Sequence, residues 1–255
     1  MRWVILAGLL VAVPCVVLAD WLGPPPSRTV GAVAIPASGG GGGTFTLVNH
    51  TTIACNANGG TSPGLNLAGT NAKLIVVPVG FLSGSTPVMS DSLGNTWLSS
   101  QVATEPTDGT VNKFFFVISP TIGNGQTFSV TGTSIFSTAE VMVFTEAGTP
   151  TLDTSTPAHS EADNLGSSTI TNPSITPAVS NSLVIAAIGN LGPAETDKTI
   201  NNSFVRVDNV NSAAGTCFGS ASAYFQATSG AVGETWTIVG GSTNSNAAVL
   251  QAFSP

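Results

Sequence analysis

The residues able to act on a ligand are few and scattered through 255 positions. The two histidines are His50, in VNHTT, and His159, in TPAHSEAD, and both stretches read as exposed loops. Nucleophilic catalysis needs a base beside the nucleophile. No GxSxG elbow, P-loop or dinucleotide fingerprint occurs, and Cys217 in AGTCFGS has no flanking catalytic motif. Glycoside hydrolysis needs two facing carboxylates. The acids, among them Asp91, Glu105, Asp108, Glu140, Glu195, Asp197, Asp208 and Glu234, are too dispersed for spacing to single out a pair. Ca²⁺ takes several carboxylate and carbonyl oxygens. TLDTSTPAHSEADNLGSS offers Asp153, Glu161 and Asp163 for a possible structural Ca²⁺, without EF-hand spacing, and a solvated loop is the alternative reading. Sugar recognition uses aromatic faces flanked by amides and acids. Trp97, Tyr224 and Trp236 are the candidate platforms, each inside a strand-like run where core packing competes. Trp236 leans to the core, because it matches Phe128 in a similar alternating run.

Composition sets the context for these residues. Charged residues make up 7% of the chain and the net charge is -7, against about a quarter charged in ordinary globular domains. The six cations, Arg2, Arg28, Lys73, Lys113, Lys198 and Arg206, form no cluster. That argues against nucleic-acid binding and against a polybasic membrane contact. Surface polarity comes from Ser, Thr, Asn and Gly, a composition common outside cells and on virus particles. Residues 1–19 carry one early cation and an apolar run from Trp3 to Ala19, and read as a signal peptide. An uncleaved anchor is the alternative, and it would be the chain's one membrane contact. Beyond that segment remain Cys55 and Cys217, an even pair that reads as a disulfide in an exported protein, with two buried thiols as the alternative.

Residues 20–43, with their triple proline and SGGGGG run, predict a linker that tethers the rest of the chain. From residue 44 to 255, short apolar runs alternate with turn residues and helical signals are nearly absent. LIVVPV and FFFVI are apolar on both faces and predict inner strands. The pattern predicts an all-β fold, a two-sheet antiparallel sandwich of jelly-roll type. An internal echo divides it into pseudo-repeats of about 64–150 and 173–255. Leu74–Gly80 matches Leu183–Gly189 at an offset of 109, and Thr127–Val130 matches Thr235–Ile238 at 108.

One stretch, SDSLGNTWLSS, combines an acid, a glycine, an amide and a tryptophan. Asp91 to Asn95 reads as a hairpin turn, with Gly94 supplying a left-handed conformation and Trp97 closing the sandwich end. With GNGQTFSVTG and the closing VMVFTEAG, this stretch resembles a D-x-x-GN-x-W pattern of bacterial and phage extracellular β-sandwiches. The resemblance spans about residues 64–147 and implies a fold and a setting without implying catalytic residues. Three functions remain open on the sequence. The first is a non-enzymatic displayed sandwich on a cell surface or in the extracellular space, acting in adhesion or glycan binding, with a glycan or protein surface partner. The second is a particle or filament protein, in which homo-oligomerisation is possible. The third is a secreted glycoside hydrolase.

Overall fold

Two runs explain the architecture. In LIVVPVGFL (Leu74–Leu82) and SLVIAAIGNL (Ser182–Leu191) every residue but the last is buried, whichever way its side chain points. A strand buried on both faces needs a covering layer on each side. The computed structural model supplies those layers. It describes residues 43–255 except 108, 156–158, 192–196, 212–217, 229 and 241–244. The expected leader (1–19), nearly all of the linker, Cys217 and the side chain of Cys55 lie outside the described residues, and with them the disulfide.

The first half contains β1 (Thr46–Asn56), β2 (Gly59–Thr61), β3 (Leu74–Leu82), β4 (Val88–Asp91), β5 (Leu98–Thr104), β6 (Thr110–Ile118), β7 (Phe128–Thr131) and β8 (Ser137–Thr145). The short β9 (Thr151–Leu152) comes next. The second half contains β10 (His159–Leu165), β11 (Thr169–Thr171), β12 (Ser182–Leu191), β13 (Asp197–Ile200), β14 (Val205–Val210), β15 (Gly219–Ala227), β16 (Thr235–Val239) and β17 (Ser245–Ser254). The fold is all-β, and every pairing among these strands is antiparallel. The sheets form two sandwiches. In the first half a large sheet ordered β1-β8-β3-β6-β5 faces a small one ordered β2-β7-β4. In the second, β10-β17-β12-β15-β14 faces β11-β16-β13, and β9 pairs β17. Strand for strand the two orders are the same. A first strand beside the last, then the third and sixth, is the jelly-roll pattern.

The two large sheets stack on each other, so alternate residues of one strand serve different cores. Ile75, Val77 and Val79 point into the first sandwich. Leu74 and Val76 point the other way, into a shared layer with Leu183, Ile185, Val249 and Phe253. Val184, Ala186 and Ile188 fill the second sandwich beneath Trp236. The large sheets approach each other closely where Gly80 meets Gly189, repeat equivalents on β3 and β12. A Cβ on Gly80 would lie 3.4 Å from the Gly189 Cα and 3.2 Å from the Gly219 carbonyl. Side chains there would force the layers apart.

Three sequence expectations change. The histidines are not in loops: His50 lies in β1 opposite Met142, and His159 lies in β10 opposite Gln251, 109 residues further on in both strands. They are repeat equivalents, so the repeats begin at β1 and β10. The acidic stretch around Glu161 and Asp163 is likewise strand β10. Asp91–Asn95 does not join a hairpin, because β4 pairs β7 whereas β5 pairs β6. The turn is an arch that carries the chain from the small sheet to the large one.

Candidate functional site

A groove of about 340 Å³ opens at one end of the second sandwich, beside the start of β16. After β11 the chain leaves the ladder and returns at the isolated Ile175–Val232 bridge. Gly233 permits this pinch, since a Cβ there would sit 2.7 Å from the Ser174 Oγ. Asn172, Ser174, Asn202, Phe225, Glu234 and Thr235 line the opening. Glu234 is 1% exposed. The Asn172 side-chain amide donates to its Oε1 at 2.6 Å, while Glu234 Oε2 and Asn172 Oδ1 accept no hydrogen bond. The Trp236 indole N–H lies near the carboxylate but completes no hydrogen bond of ordinary geometry with it. Burial pushes the Glu234 pKa up to about 7, against the opposing pull of the Asn172 amide, a backbone N–H and the indole. Buried carboxylates without a counter-charge behave this way. The far wall is set by Asn202, at φ 57°, which donates to the Gly233 carbonyl at 2.8 Å. Phe225 is partly exposed and packs on Phe204, with ring centroids 5.5 Å apart.

The matching end of the first sandwich is filled. Gln126 precedes Phe128 as Glu234 precedes Trp236. The Gln126 amide donates to Asp91 Oδ1 at 3.3 Å. Asp91 also accepts from the Trp97 indole at 2.9 Å, from Asn95 Nδ2 at 3.1 Å and from the Leu93 backbone at 2.9 Å. Trp97 packs edge-on to Phe128 at 6.2 Å. In the second half the arch from β13 to β14 is shorter, Asn201–Phe204, and Ile200 occupies the strand-end position that Asp91 holds. Among the described residues no indole or aspartate reaches across, and the groove remains.

The sequence-selected residues fall elsewhere. Trp236 is fully buried and Tyr224 is 3% exposed, edge-on to Phe144, so neither presents a ring face to a sugar. Burial also raises the Tyr224 pKa. Trp97 is half-buried and wired into the arch. Burial acts to raise the Asp153 pKa, but the backbone N–H groups of Ala178 and Ser155, at 2.7 and 2.9 Å, outweigh it and hold it below the ordinary value. Those bonds give Asp153 a turn-fixing role. Asp163 is exposed on β10, and the side chain of Glu161 lies outside the described residues. Among the described residues no three His, Cys, Asp or Glu side chains converge as a metal site. The signal for Glu234 was present in the echo of QTFSVTG and ETWTIVG, which places an acid over an amide at a buried position.

A second polar cluster joins the halves. His50 Nδ1 on β1 meets Asp208 Oδ2 on β14 at 2.8 Å. The hydrogen bond to Asp208 holds the imidazole pKa above its ordinary value, against the effect of burial. Next to it, Glu140 is fully buried and accepts from the Ser220 hydroxyl, which also bonds Thr138 Oγ1 at 2.7 Å. Burial pushes the Glu140 pKa up to about 8. A His–Asp pair of this form orients an imidazole. No described hydroxyl or thiol bonds the imidazole as a nucleophile, and the pair serves to tie one half to the other.

No protein-family model, no curated protein and no solved structure matches the chain.

Proposed function

We propose that the protein is a non-enzymatic, displayed glycan-binding β-sandwich, and that the groove beside Glu234 is where it holds a sugar. The observation that carries this reading is the groove's inventory. A space of about 340 Å³ lies within the range of small-ligand sites, roughly 300–1,000 Å³. Its wall pairs a buried carboxylate with an amide and leaves an oxygen of each without a partner. Buried acceptors of this kind are costly unless a ligand supplies donors. Hydroxyl-rich rings supply many, and the partly exposed Phe225 offers an apolar surface for the C–H face of a sugar. Binding is favoured over hydrolysis because Glu234 is the one acid among the described residues that line the groove, whereas glycosidases use two. The apolar N-terminal run and the linker at residues 20–43 support export and tethering. A glycan array probed with the intact protein tests the reading. Specific signals are expected that Asn172→Ala and Asn202→Ala abolish while Asp163→Ala leaves them unchanged. Signals insensitive to the two groove variants contradict it.

A second reading, a structural protein of a virus particle or filament, draws on the strand order. Lectin and capsid domains both use jelly rolls, and fold alone does not choose between them. Native mass and sedimentation decide here: a monodisperse monomer argues against assembly, and a closed or fibrous oligomer favours it.

A further inference from the structure

The groove's charge is one-sided, because Glu234 is the one ionisable side chain among the described residues that line it. Glu234 Oε2 and Asn172 Oδ1 are acceptors without partners. The Asn172 and Asn202 side-chain amides each use one N–H, to Glu234 and to the Gly233 carbonyl, and the Trp236 indole N–H near the carboxylate has no partner. No Lys, Arg or His is among the described residues lining the groove. Lys198 is turned elsewhere, its Nζ donating to Asn209 Oδ1 at 3.3 Å and to the Val210 carbonyl at 3.0 Å. The site therefore has a carboxylate with no counter-charge and an aromatic wall.

We propose that the groove selects a primary ammonium, so that its ligand is a glycan carrying amino sugars rather than neutral or acidic ones. This rests on the glycan reading of the groove and narrows it. An ammonium brings three donors and no acceptor, so one group can meet both Glu234 Oε2 and Asn172 Oδ1, the acceptors without partners. Its charge compensates Glu234 in a site where burial strengthens the attraction. A neutral hydroxyl would satisfy one acceptor and leave the charge unmet. A uronic acid would place a second carboxylate beside the first. Phe225, partly exposed at the rim, can face a cation or the C–H face of the ring. The chain's net charge of -7 adds long-range attraction for a cationic polymer.

The test is calorimetric titration of the intact protein at neutral pH with tetramers of glucosamine, N-acetylglucosamine, glucose and glucuronate. The glucosamine tetramer is expected to bind at least about tenfold more tightly than the N-acetylated one, a difference of about 1.4 kcal/mol. Glu234→Gln is expected to bring the ratio close to one. Gln126 shows that an amide is accommodated at the matching position of the first half. A second readout uses the unaltered protein. Carbon-detected NMR should show the Glu234 titration midpoint falling by at least about one pH unit with the glucosamine tetramer bound, as an adjacent opposite charge produces. Equal or weaker glucosamine binding, with a neutral tetramer bound, overturns the ammonium selectivity and leaves the glycan reading standing. A glucosamine preference that persists in Glu234→Gln overturns the assignment to Glu234. Failure of every tetramer to bind overturns both readings.

Discussion

The two halves share one strand order and differ at their ends. In the first, Gln126 is a fully buried amide that braces Asp91, and Trp97 closes the sandwich. In the second, Glu234 stands in the equivalent place, the arch is shorter, and a groove is open. A five-residue span between Asp91 and Trp97 lets an indole fold back over the strand ends, whereas the three residues between Ile200 and Phe204 do not. Within one repeated architecture, loop length and one amide-to-acid difference separate a structural plug from a candidate binding site. The halves differ again at their joint, where Glu140 on β8 corresponds to Val249 on β17.

Replacing these residues one at a time tests the contrast. The largest effect is expected at the joint. The folded pKa of Glu140 is raised from 4.5 to about 8, so the folded state holds its proton more tightly. Its stability contribution is complete below about pH 4.5 and is lost as pH rises to about 8. Glu140→Val, which copies the second half, should flatten that pH dependence by up to about 5 kcal/mol, taking roughly 1.4 kcal/mol per pH unit. Urea midpoints at pH 4.5 and pH 8 measure it. Next comes Trp97→Ala, which removes the plug and leaves Asp91 without its indole donor. A loss of about 3 kcal/mol is expected at any neutral pH, read from denaturant unfolding.

Glu234→Gln copies the first half into the second. Glu234 is raised to about 7, so the same sign applies over pH 4.5 to 7. The variant should gain up to about 3 kcal/mol over the parent at pH 8 and little at pH 4.5. The smallest effect is expected at His50. Its folded pKa is raised by Asp208, so its contribution is complete below about pH 6.5 and lost as pH rises through the folded value. His50→Gln should cost about 1 kcal/mol at pH 6 and little at pH 9. A cost independent of pH would remove the ionic part of the joint.

Much of the fold was legible because burial on both faces leaves a mark. LIVVPVGFL and TVNKFFFVI can only be inner strands, and the echo at an offset near 109 tracks the repeat. Strand β10 escaped because HSEADNL is polar, as strands at a sheet edge often are. The arch at Asp91–Asn95 was misread for a different reason. Its turn chemistry is local, and Gly94 does adopt φ 74°, but which strands pair on either side is decided by distant sequence. The bond from His50 to Asp208 spans 158 residues and carries no local signal. Residue type alone does not reveal which way an aromatic ring faces, so core packing and a platform stayed open for Trp97 and Tyr224. Trp236 points between sheets, and Phe225, which drew no notice, reaches the rim.

The proposed ligand site at Glu234 and the plug at its first-half counterparts differ above all in their response to a ligand. Side-chain amide NMR during titration with a mixed set of oligosaccharides tests that difference directly, because both ends carry reporters in one molecule. Saturable shifts are expected at Asn172 and Asn202, with Asn95 and Gln126 unmoved. Shifts at neither pair, or equal shifts at both, would contradict it.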